Sequence, residues 1–171
     1  EDLPQPLEIT ITREVIEFPT VESKMVDDGV GYVRLMEFSK EVTNQVSRAI
    51  EELRSQGATR LIFDLRMNGG GLLNEAIGVA SLFLPPDQPV VHIVYRDRPT
   101  ETFKSRAKQA FDMPLVVLID GGSASASEIL AGAVKDAGVG TLIGAKTFGK
   151  GSVQTFWRLQ DGSGIKLTTA K

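Results

Sequence analysis

The chain has 171 residues, 42% of them hydrophobic and 24% charged, the make-up of one ordinary globular domain with enough apolar side chain to bury a core. A formal net charge of −3 leaves no basic field of the kind that binding to a phosphate backbone requires, so nucleic acid is not an expected partner. No cysteine is present, which excludes disulfides and thiolate nucleophiles, and a single histidine among scattered carboxylates is too little for a metal site.

The acidic start Glu1-Asp2-Leu3-Pro4 is unlike a signal peptide, and no apolar run approaches the roughly 20 residues needed to cross a bilayer. Any targeting segment is expected to lie outside this sequence. Leu7 to Arg13 alternates apolar and polar residues, which predicts a half-buried strand. A polar stretch around Asp27-Asp28-Gly29 precedes the apolar run Val30 to Met36, the predicted first strand of the main domain. Val42, Val46, Ala49, Ile50 and Leu53 then recur at helical spacing, predicting a helix over about 40 to 56 that Ser39 could cap and Gly57 could end.

Leu61 to Leu65 reads as a buried strand, Leu72 to Phe83 as a helix stopped by Pro85-Pro86, and Val90 to Val94 and Leu115 to Ile119 as strands. A third helix is predicted from Ser125 to Lys135, closed by Gly138. Short strands follow at Thr141 to Ile143, Val153 to Leu159 and Ile165 to Thr168, with Asp161-Gly162 as a hairpin turn. Strands alternating with helices predict a layered α/β domain. Both ends read as cut from a longer protein.

Asn68-Gly69-Gly70-Gly71, Gly122-Ser123-Ala124-Ser125-Ala126-Ser127 and Phe148-Gly149-Lys150-Gly151 each place small residues at a strand end or helix start. Ligands in α/β sheets bind beyond strand carboxyl ends, so the three predict one composite site. A serine at a helix start sits where unpaired N–H groups can stabilise an oxyanion, although Ser123 or Ser125 could equally be a helix cap. A serine nucleophile needs a base. His92, inside the strand Val90 to Val94, is poorly placed for one, which argues against a Ser-His-Asp triad. Lysine can serve where apolar surroundings favour its neutral form. Lys150 is the best candidate, with Phe148 and the strand from Val153 as prospective apolar walls.

Asp64 to Leu73, Gly122 to Ala133 and Thr147 to Gln154 together resemble the carboxyl-terminal processing (tail-specific) serine proteases, in that family's order and spacing. Gly31 to Leu35, Phe38 and Leu167 to Lys171 extend the resemblance from about Gly29 to the last residue. It implies a crotonase-like or ClpP-like α/β core over residues 29–171, entered through a segment, 1–28, that leaves a PDZ domain not in this chain. It also implies Ser125 as nucleophile, Lys150 as general base and Gln154 as the residue orienting that base. Ala126 and either Gly70 or Gly71 would supply the oxyanion-hole amides. Gly69 replaces the proline usual in that loop, which loosens it but removes no donor.

The implied substrates are proteins or peptides with an accessible carboxyl-terminal tail, cut outside the cytoplasm in the periplasm, at the cell surface or in the thylakoid lumen. No cofactor or metal is implied. Two alternatives share the architecture: a catalytically dead peptide-binding module, and an acyl-CoA enzyme of the crotonase type. Gly144 to Gly151 also nearly fits the phosphate-loop pattern. Gly151, however, stands where a hydroxyl must reach magnesium, and a strand follows where that motif needs a helix.

Overall fold

A computed structural model describes residues 9–13, 19–106 and 110–171. Two hairpin strands, β1 (Val21–Asp27) and β2 (Val30–Leu35), open the main sheet, turning at Asp28-Gly29 where Gly29 has φ +68°. The chain then passes through α1 (Val42–Ser55) to β3 (Arg60–Asp64), which lies parallel to β2, and on through α2 (Leu73–Ser81). A small hairpin, β4 (Pro89–Ile93) and β5 (Glu101–Lys104), precedes β6 (Leu115–Ile119), α3 (Ala126–Asp136) and β7 (Thr141–Gly144). A last hairpin, β8 (Val153–Arg158) and β9 (Gly164–Ala170), closes the chain.

The five-stranded sheet runs in the order β1-β2-β3-β6-β7, parallel except for β1. Alternate residues of its strands turn one face to the helices: Val33 and Leu35, Leu61 and Phe63, and Leu115 and Val117 are buried against Ile50, Ile77 and Leu130. This is the mixed α/β layering expected from the alternation of strands and helices. Because β3, β6 and β7 are parallel, their carboxyl ends share one edge, and the three glycine- and serine-rich loops all leave from it.

Three sequence expectations give way. Residues 9–13 form no strand, and Ile9 and Ile11 lie open to solvent, with no strand paired to them among the described residues; Leu7 and Glu8, with Glu14 to Phe18, fall outside the described residues. Val30 to Met36 is not the first strand of the main domain: β1 precedes it in the sheet and, like β5, appears where the sequence shows no clean alternation; in β1 only Val21 and Met25 lean on the core. Ser39 does not cap α1. The cap position is Glu41, at φ 67°, and the acceptor comes from α2: the Glu75 carboxylate takes the Glu41 N–H (3.0 Å), the Thr43 N–H (2.9 Å) and the Thr43 hydroxyl (2.6 Å). Burial raises the Glu75 pKa, but these donors outweigh it and hold the carboxyl below its usual range.

Candidate active site

Asp64 ends β3 as a buried carboxylate, gripped by the Arg66 guanidinium at 2.6 Å and by the Tyr32 hydroxyl at 2.7 Å. Burial raises its pKa, and those bonds override the burial to leave it lowered. This fixes how the chain leaves the sheet. Asn68, fully buried, then shapes the loop: its Nδ2 donates to Leu35 O (2.8 Å) and its Oδ1 accepts from Gly70 N (2.9 Å). Its carbonyl accepts from Ala124 N (3.0 Å) and from the Ser127 hydroxyl (2.8 Å). Asp120 ties the same loop to the next one, taking the N–H groups of Met67, Gly122 and Ser123.

The serines at the start of α3 differ in what their hydroxyls do. Ser123 is buried and donates to Leu65 O (2.8 Å), and Ser127 is buried and donates to Asn68 O, so both hold the loops together. Ser125 between them is the N-cap of α3, in a capping box with Glu128, yet among the described residues its hydroxyl donates to no acceptor; it has φ 55° and ψ −111°, a strained elbow for a residue with a side chain, and it lines a cavity. Ser125 is therefore the one of the three serines that lines the cavity and keeps its hydroxyl proton uncommitted among the described residues.

Gly70 packs directly behind this elbow, and Gly71 against Phe38. A Cβ on Gly70 would meet Ala124 O at 2.7 Å and Ser125 Cβ at 2.9 Å, and one on Gly71 would run into the Phe38 backbone. Gly70 spends its N–H on Asn68. Among the described residues the N–H groups of Gly71 and Ala126 have no acceptor, and both residues line the cavity.

Glu128, in the first turn of α3, joins the serine to the third loop. Its Oε2 accepts from Ser125 N (2.8 Å) and Lys150 N (2.9 Å), and its Oε1 from Gly149 N (2.7 Å). Burial raises its pKa; the N–H groups of Gly149, Ser125 and Lys150 and the Thr147 hydroxyl more than offset this and lower it. Phe148 N also donates to Ser123 O (3.0 Å).

The cavity, about 420 Å³, brings together Ser125, Ala126, Gly71, Lys150 and Gln154; Gly70 lies behind its wall. The apolar enclosure expected for Lys150 is not built: Phe148 is 69% exposed, Phe156, Trp157 and Leu159 further along are exposed too, and Lys150 itself is exposed, with Val153 the only apolar residue of that stretch in the cavity wall. Gly144 to Gly151 runs into β8 and not into a helix, as the failed phosphate-loop reading requires. His92 stands on an exposed face of β4, not in the core, with Nδ1 2.9 Å from the Thr102 hydroxyl across the hairpin, and it forms part of the cavity wall.

The family model "Peptidase family S41" matches residues 29–171, most of the chain. The chain belongs to peptidase family S41. It is 45% identical over 170 residues to a carboxyl-terminal-processing protease of Synechocystis sp., a match covering 97% of this chain and 40% of that protein. It is 38% identical over 165 residues to the carboxy-terminal processing protease CtpA of Bacillus subtilis, covering 96% of this chain and 35% of that one. The solved photosystem II D1 C-terminal processing protease superposes with a TM-score of 0.75 at 35% identity, over 94% of this chain and 45% of the other. The chain thus spans less than half the length of these S41 relatives.

Two residues of this S41 core that organise the site escaped the reading of the sequence. Glu128 and Asn68 both lie within the recognised motifs, yet nothing local shows their part, because their partners come from segments remote in sequence. The signal available was chemical: an acid in the first turn of a helix and an amide beside glycines, both residue types that seek backbone N–H groups.

Proposed function

We propose that this chain is the catalytic core of a serine endopeptidase of the carboxyl-terminal processing type, acting through a Ser125/Lys150 dyad. The observation that carries it is Ser125 at a strained elbow on the N-terminus of α3, in one cavity with Lys150 and Gln154, while its neighbours Ser123 and Ser127 spend their hydroxyls on structure. The neutral Lys150 amine takes the Ser125 hydroxyl proton as Oγ attacks the substrate carbonyl carbon. The Ala126 and Gly71 N–H groups hold the oxyanion, aided by the positive end of α3. Lys150 then gives its proton to the departing amine, and a water deprotonated by Lys150 releases the acyl group and restores Ser125. Gln154 orients the lysine.

The substrates are proteins or peptides with an accessible carboxyl-terminal tail, presented by a PDZ domain of the parent chain. The relatives' names support this reading and place one of them in chloroplasts. We assign the parent protein to an extracytoplasmic compartment; among the described residues no helix is long and apolar enough to cross a membrane.

The test is cleavage of a quenched peptide by the full-length enzyme. Ser125→Ala and Lys150→Ala should each abolish turnover, and the double variant should be no worse than either, since the pair acts as a unit. Lys150→Arg should also be dead, because guanidinium stays protonated. His92→Ala should keep the activity; loss there with retention in Lys150→Ala would replace the dyad with a histidine mechanism.

A further inference from the structure

The hairpin that carries Gln154 also carries cations into the cavity. Gln154 pairs with Thr168 and Phe156 with Lys166 across β8 and β9, so alternation puts Gln154, Phe156, Lys166 and Thr168 on one face of the hairpin. Both Gln154 and Lys166 line the cavity. Lys171 reaches it from the end of β9, where its backbone is doubly bonded to Val94 (2.7 and 3.0 Å).

No aspartate or glutamate lines this cavity among the described residues, and none of its lysines is in an ion pair there. Glu128, the carboxylate nearest the chemistry, has both oxygens committed to backbone N–H groups. With Lys150 given to the chemistry in the reading above, Lys166 and Lys171 are the other cationic side chains of the cavity, beside the apolar Leu73, Ile93 and Ile129. That is a surface for a peptide carrying a carboxylate close to apolar residues.

We propose that Lys166, with Lys171, forms a subsite for a substrate carboxylate within a few residues of the scissile bond. The carboxylate belongs to an acidic side chain or to the free end of the tail. The subsite rests on the peptidase reading above and sets preference, not chemistry. Both lysines are exposed, so the effect is modest and salt-dependent.

The test uses the full-length enzyme with peptides identical except for Asp, Asn or Lys at each position flanking the cut, each made with a free and an amidated carboxyl end. Their affinities for the Ser125→Ala protein are measured by fluorescence anisotropy. At low salt a carboxylate-bearing peptide should have a kcat/KM about fivefold above its neutral twin, a preference that fades at about 1 M salt, where the Debye length is about 3 Å. Preference for Asp over Asn assigns the side chain; preference for acid over amide assigns the tail end. Lys166→Gln should remove the preference and Lys166→Glu should turn it toward the Lys peptide, with cleavage of the neutral peptide unchanged. Cleavage and binding indifferent to charge, or a preference that survives Lys166→Glu, overturns the subsite and leaves the peptidase intact. Failure to cleave any peptide, with no difference between wild type and Ser125→Ala, overturns the peptidase reading and the subsite with it.

Discussion

Adjacent glycines of the loop after β3 carry opposite demands. Gly70, at φ +104°, has no room for a methyl group against Ala124 and Ser125, whereas a Cβ on Gly69 meets nothing within 4 Å and its φ lies outside the left-handed region. Gly70→Ala should therefore push on the Ser125 elbow itself. We expect it to lose turnover by at least about tenfold, the rate equivalent of about 1.4 kcal/mol of misplacement. Gly69→Pro, which restores the residue usual in the family, should keep activity and raise unfolding stability by about 0.4–1 kcal/mol by restricting the unfolded chain. Denaturant titration and peptide turnover on the two variants check both outcomes. A Gly70→Ala enzyme as active as the parent would show that the elbow does not depend on this packing.

At the scale of elements, two carboxylates bridge pieces of chain that are remote in sequence. Glu75 ties α2 to the first turn of α1, and Glu128 ties α3 to the loop of Lys150. Both pKa values are lowered in the folded protein. Their contribution to stability is thus complete above the unfolded carboxylate value of about 4.3, and is lost as pH falls through the lower folded values. Acid unfolding monitored by circular dichroism should be less steep in Glu75→Gln than in the parent. Glu128→Gln keeps the shape but leaves an amide N–H₂ facing donors, so the Lys150 loop should loosen. We expect kcat to fall about 10- to 100-fold with little change in KM, matching the loss of one or two hydrogen bonds to a charged acceptor. Equal kcat in parent and variant would remove Glu128 from the positioning of the base.

The same bridges mark the limit of what the sequence could tell. Strands β2, β3 and β6 and all three helices are written in their apolar spacing, because burial on one face leaves a period that can be read locally. The strand β1 is stabilised by pairing with β2 more than by its own side chains, and the cap of α1 comes from α2; neither leaves a local trace. That Ser125 and Lys150 share one cavity was expected from the family pattern, while the commitment of Ser123, Ser127, Asn68 and Gly70 to structural hydrogen bonds arises only when three loops meet at one sheet edge.

For the whole molecule, the two halves of the site rest on unequal foundations. Ser125 and Ala126 grow out of a helix buried against the central sheet, with Leu130 and Val134 in the core. Lys150 and Gln154 sit on an exposed loop and on the β8–β9 hairpin, whose Phe156, Trp157, Ile165 and Leu167 are all exposed in this chain. The hairpin touches the rest of the structure chiefly where Ala170 and Lys171 meet Tyr95 and Val94. In the proposed dyad the base would ride on this lightly packed support, and misplacement by about 1 Å can cost about a hundredfold in rate. S41 relatives are more than twice as long as this chain, and further segments of such a protein could pack the hairpin and supply remote binding energy for the tail. We therefore expect the 171-residue chain alone to cleave an unstructured polypeptide at least about tenfold more slowly than a longer protein that carries it. The deficit should lie in kcat as well as KM, because both positioning and tail binding are weakened. Hydrogen exchange should locate the cause: amides of β8 and β9 should exchange fast in the short chain and slowly in the long one, with those of α3 slow in both. Equal turnover in the two proteins, or a hairpin already protected in the short chain, would mean that the dyad is fully assembled by the residues described here.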